Sequence, residues 1–202
     1  MNVRPILWIV AIGALLSATG CRLQVDKSKD GGDKNVKIDT PLGGLHVRAG
    51  DTAASDVGLP AYPGAQISPD KDGDKSADVH IGFGKWQLRV KAVTYQTPDA
   101  QEKVLAFYQK ALGRYGDVLQ CKGNSSIGTP IHTREGLTCN EDHGGANVHV
   151  SDSKSGELSL KAGSKHHQHI VSFKDNSSSG TRFSLVELQL PTDTDEKSDE
   201  AN

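Results

Sequence analysis

The chain has 202 residues, with 23 basic residues against 25 acidic ones, 22 glycines and 5% aromatic residues. This near-neutral balance gives no electrostatic case for nucleic-acid binding, and about 150 residues between the polar ends suffice for one ordinary core with many turns. No G-x-S-x-G, H-E-x-x-H or P-loop pattern occurs, so the sequence is read as non-enzymatic.

At the N-terminus, Arg4 supplies a short positive start and residues 6–16 form an apolar run. That run is shorter than the roughly 20 residues a membrane span needs. Small residues (Ser17, Ala18, Thr19, Gly20) then lead directly into Cys21. The layout resembles the lipobox of bacterial lipoproteins, with Ala18 where leucine is usual. The resemblance implies a signal peptide over residues 1–20 and Cys21 as the acylated mature N-terminus. It also implies a membrane partner reached through a lipid anchor, and a place in the bacterial cell envelope. Arg22 follows the cysteine instead of Asp, which by the same resemblance points to the outer membrane, facing the periplasm. Loss of the signal leaves 22 basic residues against 25 acidic ones, a charge of −3.

Residues 21–35 are charged, contain glycine and lack periodicity, so they are expected to form a flexible tether. A single α+β domain is expected over 36–190. Val36 and Ile38, then Leu45 and Val47, alternate around a turn at 40–44, which predicts a hairpin. Residues 50–77, punctuated by Pro60, Pro63 and Pro69, are expected to be irregular. Strands are expected at 78–83 and 86–95, with Leu88, Val90 and Ala92 on one face. The clear helix spans about 98–115, with Thr97 as N-cap, Pro98 at the first position and Gly116 as the stop. Val104, Leu105, Tyr108, Ala111, Leu112 and Tyr115 form its core-facing stripe. Further strands are expected at 118–121, 137–140, 146–150, 157–162, 167–173 and 183–190. In the last, Phe183, Leu185 and Glu187 alternate with Val186, Leu188 and Leu190. Close spacing implies antiparallel pairing, so the fold class is a curved antiparallel sheet with one main amphipathic helix packed on it. The acidic residues 191–202 are expected to be disordered.

Two stretches together resemble a family of uncharacterised exported bacterial proteins, often lipoproteins. One is Leu59-Pro60-Ala61-Tyr62-Pro63-Gly64-Ala65. The other runs from Thr97-Pro98-Asp99 into Val104-Leu105-Ala106-Phe107-Tyr108 and Leu112. The resemblance covers about residues 57–120 and carries no assigned activity.

Three groups bear on chemistry. With Cys21 assigned to lipid, Cys121 and Cys139 remain as a pair, which in an exported domain is expected to form a disulfide. Buried thiols or a metal–thiolate site are the alternatives. In Lys165-His166-His167-Gln168-His169-Ile170, a strand would put His167 and His169 on one face. Such an H-x-H pair can begin a site for a divalent metal such as zinc, with His149 or His143 as third ligand. The bland alternative is a polar strand face. Asp70, Asp72, Asp74 and Asp78 have partial calcium-loop spacing, but Lys75 and Ile81 occupy the positions where an EF-hand needs Gly and Glu. No cofactor is otherwise implied.

Overall fold

The computed structural model describes residues 22–27, 34–50, 52–69, 76–140, 157–174 and 180–191. These residues are dominated by antiparallel sheet with a single α-helix. The N-terminal strands are β1 (Arg22–Lys27), β2 (Lys34–Thr40) and β3 (Gly43–Ala49). After a 3-10 turn at Ala54–Val57 come β4 (Gln66–Ile67), β5 (Ser76–Phe83) and β6 (Trp86–Thr97). Helix α1 (Gln101–Leu112) runs into a 3-10 turn at Gly113–Tyr115. The rest of the sheet is β7 (Leu119–Lys122), β8 (Ser125–Ser126), β9 (Leu158–Ser164), β10 (His167–Phe173) and β11 (Thr181–Gln189). The strand order is β1-β2-β3-β5-β6-β11-β10-β9-β7-β8, with β4 also paired to β6.

Residues directly opposite in an antiparallel ladder share a face, so the register sorts the sheet into two sides. On one side Val93 lies opposite Leu185, and Leu185 opposite Val171. These residues join Tyr95, Phe183, Phe173 and Leu160 in a buried cluster that also contains Val104, Tyr108 and Leu112 of α1. The Tyr108 and Phe183 rings lie 5.4 Å apart, a separation typical of attractive aromatic pairs. On the other side, Val36, Val47, Val79 and Val90 succeed one another across β2, β3, β5 and β6. Ile38, Leu45, Ile81 and Leu88 form a parallel row beside them.

The two expected hairpins are present. Gly84, at φ +60°, opens the two-residue turn between β5 and β6, a conformation glycine adopts without strain. Three expectations need correction. Arg22–Lys27, expected within the tether, is a strand: Leu23 and Val25 supply a short alternation whose register falls opposite Ile38 and Val36. Helix α1 starts at Gln101 instead of Pro98, with Ala100 as an N-cap that makes no side-chain bond. Thr97 is the last residue of β6 and lies opposite Thr181, whose hydroxyl donates to the Asp99 carbonyl at 2.7 Å. The ladder therefore holds residues 97–99 extended or bent, and Thr97 Oγ1 accepts from the Asp99 N–H at 3.3 Å. Residues 137–140 form no strand. A turn closes there instead, with Thr133 N–H donating to the Leu137 carbonyl and Leu137 N–H to Thr133 Oγ1, both at 3.0 Å. The strand expected at 146–150 lies outside the described residues.

The segments that carry the family resemblance meet in the fold. Tyr62 donates to Asp99 Oδ2 at 2.8 Å, Tyr108 donates to the Pro60 carbonyl at 3.1 Å, and the Tyr62 and Phe107 rings stand edge to face 5.1 Å apart.

Candidate functional site

The core-facing side of the central strands changes chemistry along its length. Phe183 and Leu185 give way to Glu187 on β11, Val93 to Lys91 on β6, and Val171 to His169 on β10. Register brings these three polar residues into one row, Lys91 opposite Glu187 and Glu187 opposite His169. Glu187 is buried and receives Lys91 Nζ at 2.8 Å, His167 Nε2 at 2.9 Å and Gln189 Nε2 at 3.0 Å. Burial alone raises its pKa, yet these three donors and the Lys91 charge outweigh it and lower the value to about 2.

His169 is also buried, and burial pushes its pKa below the ordinary imidazole value. Its Nδ1–H donates to the Val57 carbonyl at 3.0 Å, and its ring stacks on Tyr115 with centroids 3.6 Å apart. Tyr115 in turn donates to the Gly58 carbonyl, and Arg114 donates to Gly58 and to the Tyr115 oxygen, the latter at 2.6 Å. Lys91 Nζ also donates to the Asp56 carbonyl at 2.7 Å. Three consecutive carbonyls of the 56–58 segment are thus tied to the sheet and to the end of α1. Gly58, at φ +71°, has no room for a side chain: a Cβ would lie 2.6 Å from the Tyr115 oxygen and 3.0 Å from His169 Cε1.

The expected H-x-H pair therefore comes together, its rings 5.0 Å apart on one strand face. Because a carboxylate and a carbonyl only accept, the bonded nitrogens carry the protons. That leaves Nδ1 of His167 and Nε2 of His169 with the lone pairs a metal could use. The proposed third ligands, His149 and His143, lie outside the described residues. Among the described residues, no group of three or more His, Cys, Asp or Glu side chains is placed to hold a metal ion. Asp70, Asp72 and Asp74 also lie outside them, and Asp78 pairs with Arg89 at 3.1 Å. Cys21 lies outside them as well. Cys121 and Cys139 form a disulfide, with Cα atoms 5.6 Å apart.

Sequence reasoning found the histidines but not Lys91, Tyr115, Arg114 or the 56–58 carbonyls. The available signal was Glu187, a carboxylate on the same alternation as Phe183 and Leu185. Comparison with known protein families, curated proteins and solved structures finds no match to this chain.

Proposed function

We propose that this protein is a bacterial envelope lipoprotein whose domain serves binding or structure and not catalysis. It is anchored through acylated Cys21 after removal of residues 1–20, and it faces the periplasm from the outer membrane. In this reading the strands from β1 to β11 and α1 form one α+β domain, in which α1 covers one face of a curved antiparallel sheet.

The observation that carries the non-enzymatic reading is the buried carboxylate of Glu187. Its oxygens accept from Lys91, His167 and Gln189, and a carboxyl held at a pKa of about 2 is a poor proton donor or acceptor near neutral pH. The disulfide supports an oxidising compartment. Among the described residues no helix is long and apolar enough to cross a membrane. Labelling a bacterial host with radioactive palmitate tests the anchor. The full-length chain should incorporate label and Cys21→Ala should not; an unlabelled wild type overturns the reading.

A second reading, divalent-metal binding, is supported by the two imidazoles 5.0 Å apart, each fixed by a hydrogen bond through its other nitrogen. Zinc at 100 times its dissociation constant would stabilise the mature protein by about 2.7 kcal/mol. A melting shift abolished by His167→Ala supports this reading; no shift with zinc, copper or nickel removes it.

A further inference from the structure

Register places two turns and the first residue of β1 at one end of the sheet. Arg22 lies opposite Asp39, next to the Pro41-Leu42 turn, and Gly43 lies opposite Phe83, next to the Gly84-Lys85 turn. With strands about 4.8 Å apart, the start of β1 and the start of β6 are separated by about 19 Å along this edge. The edge exposes large apolar side chains: Leu42 at 83%, Phe83 at 52% and Trp86 at 41%. Phe83 and Trp86 are cross-strand partners with ring centroids 6.0 Å apart, exposed Lys85 lies in the turn between them, and exposed Arg22 stands at the other end of the edge.

We propose that this edge seats in the lipid leaflet that holds the acyl chains of Cys21. Leu42, Phe83 and Trp86 enter the boundary between headgroups and acyl chains, and Arg22 and Lys85 meet lipid phosphates. The proposal rests on the lipoprotein reading and adds an orientation to it. Cys21 precedes Arg22 by one peptide unit, about 3.8 Å, and Arg22 stands at this end of the sheet. Tryptophan next to a lysine is side-chain chemistry favoured at a membrane interface, where an amphipathic ring and a snorkelling cation both find partners. Once the acyl chains are inserted, contact by the neighbouring edge is an intramolecular event and needs little affinity of its own. A second copy of the chain is the competing occupant. The three apolar side chains cluster at strand ends on the side of the sheet where Arg22 stands, which favours the lipid.

The test uses Trp86, the sole tryptophan left once Trp8 departs with the signal. Full-length protein, acylated in its host and verified by mass, is reconstituted into phosphatidylethanolamine–phosphatidylglycerol vesicles with and without brominated acyl chains. The expected result is quenching of Trp86 by brominated lipid and protection from aqueous iodide, with Phe83→Ser losing much of both effects. Trp86 quenched by iodide and not by bromine, on protein that floats with the vesicles, overturns the proposal and leaves the lipoprotein reading standing. Protection from both quenchers overturns it in favour of a second copy. A Cys21 mass without acyl groups overturns the lipoprotein reading, and this proposal with it.

Discussion

Glu187 sits where a strand's alternation calls for an apolar side chain, and its cost of burial is met by donors from two neighbouring strands. Removing Lys91 should therefore be worse than neutralising Glu187, since it leaves a buried charge without its counter-ion. Lys91→Ala is expected to cost about 3 kcal/mol in denaturant unfolding, and Glu187→Gln less. The same residue sets an acid limb. Its folded pKa of about 2 lies below the ordinary 4.5, so its contribution is complete above pH 4.5 and lost as pH falls toward 2. The difference amounts to something on the order of 3 kcal/mol. His169 is also depressed, from 6.5; the unfolded chain takes up its proton first, so stability begins to fall below about pH 6.5. Melting temperature measured from pH 7 to pH 2 should thus decline in two stages, and Glu187→Gln should shrink the lower one, to which the lowered carboxyls of Asp39, Asp99 and Asp117 also contribute. Gly58→Ala should cost more than about 1 kcal/mol, because a left-handed backbone and two close neighbours both oppose the methyl group.

At the scale of elements, what was legible depended on local alternation. The β2–β3 and β5–β6 hairpins, β10 and the stripe of α1 follow from apolar periodicity and turn residues alone. The start of α1 did not, because Thr97 has the chemistry of an N-cap but is committed by its ladder to β11. Strand β1 was obscured by its charged residues; only pairing with β2 gives Leu23 and Val25 a partner register. The row of Lys91, Glu187 and His169 is a product of register between strands 96 residues apart in sequence, which no local pattern encodes. The disulfide, by contrast, was legible from the cysteine count, which left Cys121 and Cys139 as a pair. It closes a loop of separation 18, so replacing Cys121 and Cys139 by serine should cost about 3 kcal/mol on chain-entropy arithmetic. Calorimetry of the double variant, or of reduced wild type, checks this as a melting point lower by several degrees.

At the scale of the whole molecule, the sheet divides its labour between two faces. One buries the aromatic core together with residues of α1 and ends in the polar row beneath residues 56–58. The other carries aliphatic rows across β2, β3, β5 and β6 that end at the exposed Phe83–Trp86 pair. Arg22 stands at the same end of the sheet as that pair, four strands away from Trp86. The direct test of this account is the mass of the N-terminal tryptic peptide of the full-length chain purified from bacterial membranes. The account predicts that the mature chain begins at Cys21 and carries covalent acyl mass. A chain that retains residues 1–20, or that begins at an unmodified Cys21, would contradict it.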